Sequence, residues 1–380
     1  MDFDLSEEQR LLQETARDFA EAELAPHVEE NDREGKYPAA AMKKAGEMGF
    51  MGMMIPEEFG GVAMGNVASS LVIEQISRAC ASTGVILSVH NSLICAMVTK
   101  YGTKRQKKKY LPKLASGEWL GAYSLSEADA GTQASNLKCK AEEDGDHYVL
   151  NGSKLWVTNG EQAGLIVIFT RTSWEEKISR GITAFLVEPS YEGFSIGTKE
   201  KKMGIKASST VELILENCRV PAENLLGEKG KGFHIAMDAL DGGRIGVGSQ
   251  ALGIGQACLD ASIKYAKERV QFDRPIAEFQ AVQWKLAEMA AEIDGARLLV
   301  RRAATLRDKG RPCSMESSMG KLMASRACVK ASQEAVQIHG GAGYTKEFPV
   351  ERYYRDAKIT EIYEGTTEAQ KIVISSHLLR

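Results

Sequence analysis

No Cys-x-x-Cys pair occurs in this chain, and its seven cysteines, Cys80, Cys95, Cys139, Cys218, Cys258, Cys313 and Cys328, are odd in number. A disulfide framework or zinc site is disfavoured, and reduced, buried thiols are expected. The six histidines are scattered without His-x-x-x-His spacing, so no metal is expected. A strong charge of one sign is also missing, since the net charge is -3. The short basic run Lys104 to Lys109 lacks interleaved aromatics and reads as a solvated helix end, not a nucleic-acid patch. Apolar runs such as Leu165 to Phe169 are too short to cross a membrane, so no span is expected. The start, Met-Asp-Phe-Asp, shows no basic-then-apolar leader, which predicts a cytoplasmic protein. Nucleotide-binding glycine loops are absent too. Gly253-Ile254-Gly255 lacks a third glycine and lies in a helical run, and Gly230-Lys231-Gly232 lacks the Ser/Thr of a P-loop.

What is present is a globular composition, 43% hydrophobic and 26% charged, over 380 residues, enough for two or three domains. Residues 1–120 read as helices. Ser6 to Gln9 fits a capping box, Leu12, Ala16, Phe19 and Ala20 recur at helical spacing, and Pro26 marks a break. The texture changes near residue 121. Leu137, Cys139 and Ala141 alternate with polar residues, and Asp144-Gly145-Asp146 signals a turn. Tyr148 to Leu150, Leu155 to Thr158, Leu165 to Thr170, Thr183 to Val187 and Val211 to Leu215 read as further strands. Residues 121–228 therefore form a β domain, a small barrel or sandwich. Residues 229–380 return to long helices: about Phe233 to Phe272, then a run carrying Val282, Leu286, Met289, Ile293, Ala296, Val300 and Ala303, then Ser314 to Gln337. These suit an up-down bundle. A loop from Ile359 to Thr366 leads to a last helix, whose capping box is expected at Thr367 and Gln370.

Three polar segments hold the chemistry a site needs. Tyr123 to Thr132 joins the helical part to the β domain, with small residues whose backbone can approach a flat polar ring. Trp156-Val157-Thr158-Asn159-Gly160 puts Trp156 and Thr158 on one strand face, where a ring can stack. Glu361 to Glu368 sets an acid, Glu364, before Gly365 and just ahead of a helix N-terminus, which favours an anionic ligand. Taken singly, each also fits a plainer reading: a capped loop, a core tryptophan, an exposed acid.

Together and in this order, these segments resemble the acyl-CoA dehydrogenase family from end to end. The resemblance extends to Tyr148-Val149-Leu150-Asn151-Gly152, Val220-Pro221, Asn224 to Gly227, Asp241 to Arg244, Glu268-Arg269 with Phe272, Phe279-Gln280-Ala281, Gln337 to Gly341 and Tyr363 to Thr366. It implies a mainly helical α+β fold: an N-terminal helical domain, a middle β-barrel domain and a C-terminal four-helix bundle, usually tetrameric. It implies FAD as cofactor, an acyl-CoA thioester as substrate, an electron-transfer flavoprotein as acceptor, and Glu364 as the base that removes the α proton. By the same carry-over, Tyr123, Leu125 and Ser126 contact the flavin ring, Trp156 stacks near it and Thr158 hydrogen-bonds it. Arg269, Gln280, Gln337, Gly340 and Gly341 match FAD-binding positions contributed across a subunit contact, and Thr366 and Glu368 match positions by the dinucleotide phosphates. Thr132, Asp241, Arg244 and Gly365 match substrate positions.

Some relatives carry the base at the position of Gly243, and glutaryl-type relatives carry an arginine at the position of Gly84. Neither residue is present here, which leaves Glu364 alone and disfavours a dicarboxylyl substrate. The butyryl-CoA type is nearest, and the ending His377-Leu378-Leu379-Arg380 adds to that likeness. A branched or alicyclic acyl group, or a flavin oxidase on the same scaffold, stands as the alternative.

Overall fold

The computed structural model describes residues 4–379, so the start read at Met1-Asp2-Phe3 and the final Arg380 lie outside the described residues. Helix α1 (Glu7–Phe19) begins at the expected capping box: Ser6 Oγ accepts from Gln9 N at 3.2 Å and Gln9 Oε1 from Ser6 N at 3.1 Å. Around Pro26, which has no N–H to give, the chain passes through a wide π turn (Ala20–Leu24) and a tight 3-10 turn (Ala25–His27). Helices α2 (Val28–Glu34), α3 (Ala39–Glu47), α4 (Gly65–Ala79), α5 (Ala81–Ser88), α6 (Ala96–Tyr101) and α7 (Lys104–Ala115) follow. A π-helical stretch, Val89–Cys95, joins α5 to α6 without a break. The resulting rod, Ala81–Tyr101, is apolar and long enough to cross a membrane, but 94% of its most apolar window is buried inside the protein. It is a core helix, and Ser, His and Asn interrupt its apolar residues. The basic run opens α7, where Arg105 and Lys109 pair with Glu223 and Glu188 at 2.6 and 2.7 Å.

The middle part is one eight-stranded sheet: β1 (Leu120–Ser124), β2 (Lys140–Asp144), β3 (His147–Thr158), β4 (Ala163–Arg171), β5 (Ile182–Val187), β6 (Phe194–Lys199), β7 (Thr210–Pro221) and β8 (Leu225–Leu226). Its order is β6-β7-β3-β2-β4-β5-β8, with β1 parallel to β4. The inward residues of β1, β2, β3, β4, β5 and β7 meet in a single cluster that includes Ala122, Leu150, Ile166, Phe185 and Leu213. The sheet is thus rolled like a barrel around its own core, although no ladder joins β6 to β8. The two runs Tyr148 to Leu150 and Leu155 to Thr158 prove to be one strand. Its pairing with β7 shifts register at Gly152 and again around Trp156, whose φ is 62°; such bulges re-aim side chains.

The C-terminal part is built on α8 (Gly232–Glu268), α9 (Gln280–Asp308) and α10 (Ser314–His339), which pack on one another. A two-strand hairpin, β9 (Val270–Gln271) and β10 (Arg274–Pro275), links the first two. The short α11 (Val350–Ile359) lies across α8 and α10, and α12 (Thr367–Leu378) packs on α10. The final cap falls one residue earlier than the sequence suggests. Thr366, not Thr367, is the N-cap, and its hydroxyl accepts from Ala369 N at 3.3 Å. Gln370 is turned away from capping and donates instead to Gly365 O at 2.8 Å. All seven cysteines are free and buried.

Candidate active site

The loop between α11 and α12 carries Glu364, and α11 fixes where that loop starts. Arg355 pairs with Asp32 at 2.7 Å, and the buried Asp356 accepts from Ile205 N at 2.5 Å. The helix is thereby tied to both the first helical part and the sheet part. Ile362 N and Tyr363 N then bond back to Ile359 O, and Thr367 N bonds to Glu361 O, closing a compact turn. At its tip Glu364 has φ 51° and Gly365 φ 96°. A left-handed glutamate is uncommon and points to a held, functional turn.

That turn drives the Glu364 side chain inward. The residue as a whole is half-buried, yet both carboxylate oxygens are closed off from solvent and have no hydrogen-bond partner among the described residues. Loss of solvation raises its pKa to about 7, against the opposing pull of Lys321 and then Arg244. The carboxylate lies against Gly243 of α8. A Cβ at 243 would meet Glu364 Oε2 at 1.9 Å and Leu93 Cδ2 at 2.9 Å. Position 243, the alternative base position, therefore converges on the same point in space as the Glu364 carboxylate. Arg244, 6% exposed, is held by Asp241 Oδ1 at 2.7 Å, and the same oxygen accepts from Ser314 Oγ at 3.0 Å. Arg244 Nε is buried without a partner. Tyr123, at the end of β1, reaches Ala236 O of α8 at 3.5 Å and is electrostatically coupled to Glu364.

Beside this cluster the sheet presents a second surface. Leu155 N bonds to Ser126 O at 2.9 Å, which draws the Tyr123 to Ser126 segment against the bulge at Trp156. Trp156 is 61% exposed and Thr158 half-buried, while Val157 between them is buried, so both look away from the barrel core. The core-tryptophan reading fails here. The polar segment is not a free loop either. Lys154, fully buried, bonds to Leu125 O at 3.1 Å and to Glu127 Oε1 at 2.7 Å, and Glu127 accepts from Lys138 N and Cys139 N at 2.6 and 3.0 Å.

The remaining positions lie elsewhere. Thr132 is exposed on the loop after Ser126, Thr366 caps α12, and Glu368 is exposed in its first turn. Arg269, Gln280, Gln337, Gly340 and Gly341 are all exposed. At 1.5 Å per residue, Arg269 lies about 40 Å along α8 from Gly243. The structure thus gathers Tyr123, Asp241, Arg244, Glu364 and Gly365, and leaves this second set at the far end of the bundle. The sequence reading missed Lys154, Lys321 and Gln250. Lys154 was findable, because it follows the inward Tyr148 and Leu150 at an even spacing. So was Lys321, which shares a stripe of small residues on α10 with Ser317, Ala324, Cys328 and Ala331.

The chemistry near the Glu364 cluster suits FAD: an exposed indole at Trp156 for a flat ring, hydroxyls at Ser126 and Thr158, and a capped helix start at Thr366. Comparison with known proteins agrees. Residues 6–118, 122–218 and 230–379 match the N-terminal, middle and C-terminal domains of acyl-CoA dehydrogenases. The chain belongs to the acyl-CoA dehydrogenase family. It is 50% identical to the mitochondrial short-chain specific acyl-CoA dehydrogenase of Mus musculus, over 99% of this chain and 91% of that one. It is 43% identical to butyryl-CoA dehydrogenase of Megasphaera elsdenii, covering 100% of both chains with a TM-score of 0.98. An acyl-CoA dehydrogenase of Bacillus anthracis, solved with FAD, is 37% identical over 99% of this chain and 67% of its own, with a TM-score of 0.92.

Proposed function

We propose that the chain is an FAD-dependent dehydrogenase of short-chain acyl-CoA thioesters, with Glu364 as the α-proton base. The observation that carries this reading is the Glu364 carboxylate, buried, unpartnered and held near neutrality. A thioester α proton is too weak an acid for an ordinary carboxylate, so its removal needs help at both ends. Burial makes Glu364 a stronger base than a solvated acid. Its own backbone N–H makes no hydrogen bond among the described residues, and it is free to donate to the thioester oxygen as negative charge develops there. FAD, when bound, supplies the acceptor for the hydride that leaves the β carbon. Trp156, Thr158 and Ser126 hold the ring side of that cofactor. Arg269, Gln280, Gln337, Gly340 and Gly341 serve a cofactor of a neighbouring copy, which supports a tetramer, and an electron-transfer flavoprotein takes the electrons onward.

The short-chain preference is supported by a closure beside the base. Tyr363 donates to Gln250 Oε1, and Gln250 Nε2 donates to Ala81 O at 2.8 Å. Gln250 is fully buried and lies two turns beyond Gly243 on α8, on the same side. We infer that this bonded pair limits how far an acyl chain extends beyond the base. A distal carboxylate finds no cation at Gly84, where a Cβ would meet Ser77 Oγ at 2.0 Å. Turnover of a series of acyl-CoA thioesters should be fastest near four carbons. A maximum at long chains would contradict the short-chain assignment.

Gly243 gives a sharper check. Gly243→Ala must displace the carboxylate, and a shift of about 1 Å costs on the order of 100-fold in rate. The variant should retain FAD, read by its visible spectrum, and lose about that factor in kcat. Unchanged turnover would show that the carboxylate works from another position.

A further inference from the structure

We propose that Lys321 is the positioning residue of the base: from α10 its buried ammonium holds the Gly365 carbonyl, fixes the left-handed Glu364–Gly365 turn and faces the Glu364 carboxylate. This role rests on Glu364 being the base. Lys321 is 1% exposed, and Nζ donates to Gly365 O. Among the described residues it has no ion pair with any carboxylate within 4.0 Å. A buried lysine bonded only to a backbone carbonyl is costly, and a hydrophobic residue of similar length packs there at less cost. Its presence there calls for a task.

The geometry supplies one. Gly365 O accepts from two buried side chains, Lys321 Nζ and Gln370 Nε2, and Gln370 Nε2 also reaches Glu364 O at 3.4 Å. Two donors on one carbonyl use both of its lone pairs. They clamp the peptide that follows the base, where consecutive positive φ angles must be held. The clamp from α10 and the wall at Gly243 of α8 leave the carboxylate one place to sit.

The charge matters as well as the bond. The groups facing Glu364 are Lys321 from α10, Arg244 from α8, Tyr123 from β1 and its neighbour Tyr363. Arg244 is already engaged by Asp241. Lys321 in turn feels Glu364, Glu361 and Glu368 as attractions and Arg244 as a repulsion, and burial brings its own pKa down to about 8. Without the ammonium, desolvation acts on Glu364 with less opposition and its pKa rises further.

The test compares kcat/KM for butyryl-CoA from about pH 5 to about pH 9 in the wild type, Lys321→Met, Lys321→Gln and Glu364→Gln. In Lys321→Met the acid limb should move up by about one pH unit, and the plateau should fall on the order of ten-fold. Lys321→Gln keeps a donor for Gly365 O without the charge. It should show the same shift in the limb with a plateau nearer the wild type. If Lys321→Met yields no folded flavoprotein, Lys321→Gln decides. An acid limb coincident with the wild type in the folded variants overturns the role, whatever the plateau does. Near-normal turnover in Glu364→Gln would instead bring down the base assignment itself.

Discussion

Glu364→Gln should bind FAD normally and lose reduction by butyryl-CoA by a factor on the order of 10⁴, the upper range for loss of a general base. No second base is at hand, because position 243 is glycine and its Cα already borders the carboxylate. The other titratable groups gathered at the site are cations, tyrosines whose pKa values are raised well above their usual range by burial and then by Glu364 itself, and Asp241, whose carboxylate is already engaged by Arg244 and Ser314. The sign of the pH effect follows. Glu364 works only when ionised, and burial lifts its pKa from 4.5 to about 7. Wild-type kcat/KM should therefore climb with pH through about 7, and the residual activity of the variant should be flat over that range. Stopped-flow reduction at several pH values measures both. A variant that still reduces its flavin at a comparable rate would place the base elsewhere.

Gln250→Ala should change which substrate is preferred without removing the chemistry. The side chain bridges Tyr363 Oη and Ala81 O. Truncation opens space beyond the base and leaves those two groups to find water. Each added methylene that enters the space contributes roughly 0.8 kcal/mol. The ratio of kcat/KM for octanoyl-CoA over butyryl-CoA should rise on the order of ten-fold or more. The lost hydrogen bonds should cost about 1–3 kcal/mol in stability, visible in the Tm. An unchanged ratio would mean that another wall sets chain length.

Much of the fold is written in local pattern. The Ser6–Gln9 cap, the three long helices and the strands with two-residue alternation are legible because each buries one face at a fixed period. What escapes depends on distant partners. Strand β6 buries none of its residues and leaves most of them exposed, since it is an edge. Helix α11 is short, and its anchors, Asp32 and Ile205, are far away in sequence. The last cap slipped to Thr366 because Gln370 is drawn to the Gly365 carbonyl, a tertiary bond that the local motif does not reveal.

The site divides the same way. Glu364 is a candidate from its place before Gly365 and a helix N-terminus, but its assignment as the base comes by resemblance, since nothing in Tyr-Glu-Gly-Thr says whether the acid points to water or to protein. The left-handed turn and the bare wall of Gly243 decide that, and both appear only in three dimensions. Lys154 and Lys321 were visible as lysines on inward faces, a local pattern that conflicts with burial and flags a position that needs a buried partner.

Anaerobic addition of butyryl-CoA to the purified protein, followed in the visible spectrum, tests the central claim most directly. A yellow protein whose flavin band bleaches at once is the predicted result, because the proposed base, the proposed limit on acyl length and the cofactor surface all act in that single event. A yellow protein that keeps its flavin band with butyryl-CoA but loses it with a long-chain or dicarboxylyl thioester would contradict the account.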